Sequence, residues 1–497
     1  MRFLFIGVIV SILISSSCTN DKQGASTAET SYIIDSIGLP EGLSGEVGAI
    51  EFLPDGRLAA AFLRGELMLY NPKTKDWKVF AEGLQEPLGM LVISESEFIV
   101  MQRPELTRIK DTDGDGHADL YETVTDEFGI SGNYHEFNYG PIKDKEGNLV
   151  IGLNSASSGG GILEEVRGEL DTITMNHKGQ MFSPVPYRGW IMKLTPEGKL
   201  LPYASGFRSP NGLGFDDAGN LFVTENQGDW VATSALYHVQ EGNFYGHPSG
   251  LIWKKSWNGE DPLMLPVEKL DSIRTKAAVL FPHGIIANSP TQPLVDNTGG
   301  KFGPFTGQLL VGEMNSERIV RVMLEEVDGA LQGACTFFIN GKGLRKGNNR
   351  LAFAPDGSLW VGQAEHGWAG AKGIQRIVFT GKQPMDLLDM NLTAKGFDLA
   401  FTQSLNAESA KNASNYKFRR YHYEYHKKYG SDQMEVKDIP VTDIKVSKDG
   451  KKVSLELESL EPGFVYELTL GGIQSEKGEP LENNLVCYTL NRLKPND

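Results

Sequence analysis

The chain has 497 residues, 40% of them hydrophobic and 23% charged, a globular balance in a length that suits one large domain and one small. The formal charge is −16 and there is no basic run, which argues against nucleic acid as a partner. Beyond Cys18 only Cys335 and Cys487 remain, too few and too distant in sequence for a disulfide framework or a zinc site, and no CxxCH is present to hold a haem.

The chain opens with "MRFLFIGVIVSILISSSC": Arg2, an apolar run from Phe3 to Ile14, three serines and Cys18. The apolar run is too short to span a bilayer as a helix and reads as a cleaved signal. Small residues just before a cysteine resemble a bacterial lipoprotein signal, with Ser15 standing where leucine is usual. That resemblance implies a signal over 1–18, a lipid on Cys18 as the only membrane contact, and a place in the bacterial cell envelope facing periplasm or surface. Residues 19–30, "TNDKQGASTAET", read as a flexible polar tether.

From residue 31 one pattern recurs: an apolar strand, a turn with Asp and Gly, then a second apolar strand. It appears as "FLPDGRLAAAF" (52–62), "IKDKEGNLVIGL" (142–153), "FDDAGNLFVTE" (215–225) and "FAPDGSLWVGQ" (353–363), with weaker copies at "MLVISESEFIVMQ" (90–102) and "FGPFTGQLLVGE" (302–313). Each reads as a β-hairpin, the glycine supplying a turn conformation that other residues resist. Six copies predict an all-β fold with a six-bladed β-propeller over 31–383. If each hairpin forms the two inner strands of a blade, residues before the first strand and after the second share one face of the disc. That set is Gln102, Arg103, His135, Asn138, Asn154, Arg208, Asn211, Glu225, Asn226, His283, Glu313, Asn315, Asn349, Gln363, Glu365 and His366. Imidazole, amide, carboxylate and guanidinium groups converging on a concave face make it the candidate functional site. His177, His422 and His426 read as surface residues, and His135, His283 and His366 share a face on which a transition metal is conceivable.

Within the second blade, "DTDGDGHADLYE" (111–122) has the spacing of a calcium loop. Asp111, Asp113, Asp115 and Glu122 offer hard oxygens, His117 its carbonyl, Asp119 a direct or water-mediated ligand, and Gly116 the sharp turn. A sensor needs paired helix–loop–helix units, and this single loop follows a strand, so calcium is expected as a brace. From about Pro384 the blade pattern stops, and short alternating segments such as "KVSLELESL" predict a small Ig-like β-sandwich over 384–497. "YHYEYHKKYG" within it is expected to pack one domain on the other, or to stack on sugars.

"GFRSPNGLGFDDAGNLFVTENQGDW" with "EGNFYGHP", and "QRPELTRIKDTDGDGHADLYE", resemble the soluble quinoprotein glucose/sorbosone dehydrogenase-like propellers, in the membrane-bound dehydrogenase branch of environmental bacteria. The resemblance spans about 45–380 and implies a sugar or polyol oxidoreductase that uses pyrroloquinoline quinone (PQQ) and passes electrons to a separate acceptor. It implies His135 in "NYHEFNYGP" as general base and Arg208 as a pocket arginine. Gln102, Arg103, Asn211, Gln227, Gly228, Asn315 and Arg345 fall in the cofactor region, with a second, quinone-bound calcium near Gln227 and Gly228. The chain departs from the pattern where the family has a quinone-contacting lysine (Asn315 here), where an asparagine follows the pocket arginine (Ser209), and where paired arginines precede the last turn (Arg345 and Arg350 are displaced). Two other functions remain open at this point. One is a lactonase-type hydrolase with a channel metal on Glu225 and Glu313. The other is a non-catalytic carbohydrate- or protein-binding propeller.

Overall fold

In the computed structural model, which describes residues 30–365 and 370–495, the Asp-Gly turns are built from the aspartates themselves. In the fourth blade Asp216 Oδ1 accepts the N–H groups of Gly219 and Asn220, both at 2.8 Å, while Asn220 Nδ2 donates to Asp216 Oδ2. Gly219 sits at φ +95°, where a side chain is strained. The third blade repeats the device with Asp144, Gly147 and Asn148. A side-chain carboxylate that takes the loop's amides lets these hairpins close without help from the rest of the protein.

The hairpins supply the two inner strands of six four-stranded antiparallel blades. The innermost strands are Val47–Phe52, Gly89–Ser94, Asn138–Lys143, Gly212–Phe215, Pro290–Val295 and Asn348–Phe353. They contact one another in that order and close into a ring. Backbones meet so tightly there that a Cβ on Gly89 would fall 1.6 Å from the Gly140 carbonyl oxygen. The N-terminal strand Tyr32–Ile37 closes the circle as the outer strand of the last blade, paired with Gly373–Phe379. The channel left at the centre narrows to a cavity of about 50 Å³, lined from all six inner strands, with Arg350 and Tyr139 in it.

The fifth blade departs from the sequence reading. Its inner strand is "PTQPLV" (290–295), not the stretch beginning at Phe302, and residues 296–308 form a loop that buries Phe302 and Phe305. Two prolines disguise the strand. An innermost strand is an edge, with no ladder partner on its channel side, so proline is tolerated there.

The C-terminal region is a two-layer β-sandwich, and one layer continues the fifth blade. Outer strand Ala330–Asn340 pairs with Leu485–Leu490, and the sheet runs on through Phe464–Leu470, Tyr416–His422 and Met434–Ile439 to eight strands. The facing sheet is ordered Leu387–Leu392, Gly396–Phe401, Lys452–Leu457, Val441–Val446. Phe397, Phe418, Tyr466 and Tyr488 fill the space between the layers. Cys335 and Cys487, remote in sequence, are direct partners across the seam and both are buried free thiols. Buried Arg321 bolts the parts together: it donates to the carbonyls of Leu387 and Leu388 and packs 3.9 Å from the Phe305 ring centre. A shared sheet and a shared buried cation make the sandwich continuous with the propeller.

Candidate functional site

The strand directions place the described members of the predicted polar set on one face, but the structure divides them into groups that tether loops and groups left free for chemistry. Glu225 and Glu313 close the second strand of their blades and Gln102 directly follows that of its own. Glu225 accepts the N–H groups of Arg208, Ser209 and Asn226; Glu313 accepts those of Asn288 and Ser289 and the Ser316 hydroxyl; Gln102 accepts that of Gln85. In each case the side chain pins the loop that enters the same blade. Asn138 is occupied likewise, between the carbonyls of Gln102 and Arg103 and the Arg188 guanidinium, as is Asn349, between the Val47 carbonyl and Arg350. Both Glu225 oxygens and Glu313 Oε1 accept backbone amides and Glu313 Oε2 accepts the Ser316 hydroxyl, so a lactonase-type metal there would share oxygens that already hold loops. Gln102 is likewise a buried loop tether and not a cofactor contact.

His135 is different. Asn133, itself buried, takes its backbone N–H at 3.0 Å and fixes the loop. The ring Nδ1 lies 3.1 Å from the Ser155 carbonyl oxygen. A carbonyl can only accept, so Nδ1 carries the proton and Nε2 keeps its lone pair. Among the described residues Nε2 has no hydrogen-bond partner. Burial, and then the Arg208 charge, push the imidazole pKa down to about 4, so it is neutral at physiological pH.

Arg208 and Arg103 flank this base, and each is neutralised. Arg208 Nε donates to Asp229 Oδ1 at 3.1 Å, and Arg103 Nε to Glu86 Oε2 at 2.5 Å. Asp229, only 3% exposed, also meets buried His247 Nε2 at 3.1 Å and the Met181 N–H at 2.7 Å. Burial works to raise the Asp229 pKa, but His247, Arg208 and Met181 outweigh it and lower the value to about 2. Neither Asp229 nor His247 stands out in sequence, although both lie in the stretches "ENQGDW" and "YGHP" that carry the family resemblance.

The remaining cofactor positions do not fit a tricarboxylate quinone. Asn315 offers no charge, and its buried Oδ1 is an acceptor without a donor. The Oδ1 atoms of Asn154, Asn211 and Asn226 are in the same state, and Asn211 lines the narrow channel. Lys372 is paired with Glu365 at 3.3 Å. Arg345, which donates to Gln363 and the Ile374 carbonyl, and Arg350, which donates to the Asn349 and Leu88 carbonyls in the channel, are the guanidiniums without a carboxylate partner among the described residues of this face. Two such cations, both already donating to backbone carbonyls, among orphaned acceptor oxygens are a poor surface for three carboxylates. At the place of the second calcium, the Gly228 carbonyl already accepts the N–H groups of Val231 and Gly430, and Gln227 Nε2 donates to the Ala232 carbonyl. Gly228 instead makes room for Arg208, since a Cβ there would lie 2.0 Å from its Nε. His283 is exposed at the edge of this face, and His366 lies outside the described residues, as do Cys18 and the tether over 19–29.

On the rim of the second blade the acidic loop joins strands Leu106–Lys110 and Leu120–Thr125. Carboxylate oxygens of Asp111, Asp113 and Asp115 lie within 4.8 Å of one another. Asp111 orders the turn by accepting the N–H groups of Gly114 and Gly116. Two predicted ligands are placed otherwise. Asp119 is bound to Thr112 through its N–H and hydroxyl, and Glu122 sits within the strand, register partner of Arg108 and paired with it at 3.4 Å. A strand begins where a calcium-loop helix would, which turns position 12 away from the cluster. His117 donates its N–H to Asp115.

Among known families, the model described as Domain of unknown function (DUF7133) matches residues 73–249, from the outer strand of the first blade into the fourth. No curated protein matches the chain. Three solved structures illustrate what the chain is similar to. The PQQ-bound form of aldose sugar dehydrogenase from Streptomyces coelicolor is 17% identical, with 70% of this chain and 98% of that one covered, at a TM-score of 0.45. The holo form of the pyranose dehydrogenase PQQ domain from Coprinopsis cinerea is 13% identical, with 70% and 96% covered, at 0.48. A calcium structure of a carbohydrate-active enzyme of family AA12 from Trichoderma reesei is 12% identical, with 71% and 96% covered, at 0.47.

Proposed function

We propose that the channel face binds a neutral sugar or polyol and that His135 is the base that removes a hydroxyl proton from it. The observation that carries this is the neutral imidazole with Nε2 free, beside a guanidinium already neutralised by Asp229. The two arginines beside His135 are balanced by carboxylates, which suits an uncharged ligand at the base, and hydroxyl groups suit the unpartnered amide oxygens of the face. Oxidation of the deprotonated alcohol to a carbonyl is the reaction such a base serves: His135 takes the hydroxyl proton, the carbon's hydride passes to a quinone-class acceptor supplied from outside the chain, and the electrons go on to a separate carrier. In this reading calcium braces the second-blade loop through Asp111, Asp113 and Asp115, and a lipid on Cys18 holds the protein in the cell envelope.

A second reading, a carbohydrate-binding propeller without turnover, is favoured by the poor fit of the face to PQQ. Calorimetry with monosaccharides and polyols, followed by turnover assays with a dye acceptor, with and without added PQQ, separates the two. Turnover that disappears in His135→Ala while binding persists supports the oxidoreductase. Binding without turnover under every condition selects the second reading, and no binding refutes both.

A further inference from the structure

The hairpin loop 423–433 of the C-terminal sandwich reaches back over the fourth blade and lands beside the candidate site. Its backbone is stitched to the propeller: Gly430 N–H donates to the Gly228 carbonyl and Ser431 N–H to the Ala232 carbonyl, both at 2.9 Å, and Tyr429 bridges Asp229. Gly430, at φ +61°, fits against the Gln227 amide, where a Cβ would lie 2.7 Å from the side-chain carbon. Tyr425 is sunk between Trp230 and Arg274. These contacts account for most of the aromatic run as domain packing.

Tyr429 is not accounted for that way. It is 66% exposed although the backbone on both sides is anchored, and its ring lies 5.5 Å from the Arg208 guanidinium carbon. Beside it opens a cavity of about 680 Å³, lined by Gln227 and His283 of the propeller and by Glu424, His426, Asp432 and Gln433 of the loop. An exposed aromatic ring held in place offers a flat apolar face. Amides, imidazoles and carboxylates around it offer donors and acceptors at several angles. That combination matches a pyranose ring, which is apolar on its C–H face and polar around its edge.

We propose that Tyr429 is the stacking platform of an outer sugar subsite, built jointly by the two domains, so that the protein takes an oligosaccharide and not only a single sugar. The inference rests on the reading of the channel face as a sugar site. The innermost ring then lies at His135 and Arg208, and the next ring lies on Tyr429, which touches Arg208 from the outer side. The sandwich thus contributes part of the binding site itself.

The test is calorimetric titration of the full folded protein with glucose, maltose to maltotetraose, and cellobiose to cellotetraose. It compares wild type, Tyr429→Ala and Tyr429→Phe. Because the side chain is exposed, thermal unfolding should confirm that both variants keep the fold. Wild type is expected to gain about tenfold in affinity from the monosaccharide to the longer chains of one series, the scale expected when one sugar face is removed from water. Tyr429→Ala should lose that gain and Tyr429→Phe keep it. Monosaccharide binding with no gain on lengthening, or a gain that survives in Tyr429→Ala, overturns the platform alone. No binding of any saccharide, glucose included, overturns the channel-face reading and the platform with it.

Discussion

Asp229 holds the loop on which Arg208, Gly228 and Tyr429 depend, and Asp229→Asn tests that role. In the folded protein its pKa is about 2, against an ordinary value of 3.8. That depression corresponds to about 2.5 kcal/mol of stability at neutral pH. The group is nearly fully buried, so solvent screening takes little from this figure. The contribution is present in full above the unfolded-state pKa and is lost as pH falls through the folded one. Wild type should therefore exceed Asp229→Asn by about 2–3 kcal/mol at pH 7. The gap should close between about pH 4 and pH 2. Urea unfolding across that range, followed by the fluorescence of buried Trp230 in the same loop, measures both the size and the pH dependence. A loss under about 0.5 kcal/mol, or a gap that does not change below pH 4, would refute the claim that an ionised Asp229 organises the site.

Three further outcomes are expected. His135 is neutral when folded, and its pKa of about 4 lies below the ordinary 6.5, so the unfolded chain takes up its proton first; stability should fall as pH drops from 6.5 to 4, His135→Gln should remove that slope, and sugar turnover should decline only near the lower value. Tyr32→Ala should cost about 3–5 kcal/mol in chemical denaturation, because the closing strand is locked by this ring against Phe302, Phe338 and Phe379 and by its hydroxyl on the Phe302 carbonyl. Calcium should raise the melting temperature of the chelator-treated protein and fail to do so in Asp113→Ala; an equal rise in both would remove the cation from the Asp111–Asp115 loop.

The propeller was legible because its turns are locally determined. Asp144, Asp216 and the glycines beside them write the same closed loop into the sequence wherever it occurs. Where the determinant is global, legibility fails. Pro290 and Pro293 look like strand breakers until the ring shows that the strand is an edge. Cys335 and Cys487 look unrelated until the eight-stranded sheet brings them face to face. In the calcium loop Glu122 keeps the right spacing, but the spacing presumes a helix and this chain continues as a strand.

The site shows the same division at finer grain. Gln102, Glu225, Glu313 and Gln363 end or directly follow the second strand of four different blades, and sequence alone reads them as polar groups converging on a functional face. Three of them hold the entering loop by its amides, while Gln363 engages Arg345 and Gln375. Recurrence at one blade position is the signature of a structural task, because each blade has the same entering loop to secure. Chemistry is expected outside that repeated position, where His135 and Asp229 stand in blade loops and Tyr429 on the hairpin of the sandwich. The free Nε2 of His135, the buried charge of Asp229 and the exposed ring of Tyr429 are features that no blade needs in order to fold. They lie within contact of one guanidinium or its field, that of Arg208, so changing Arg208 to a neutral isostere should disturb base, loop and platform together, whereas changing Glu313 should weaken the fifth blade alone.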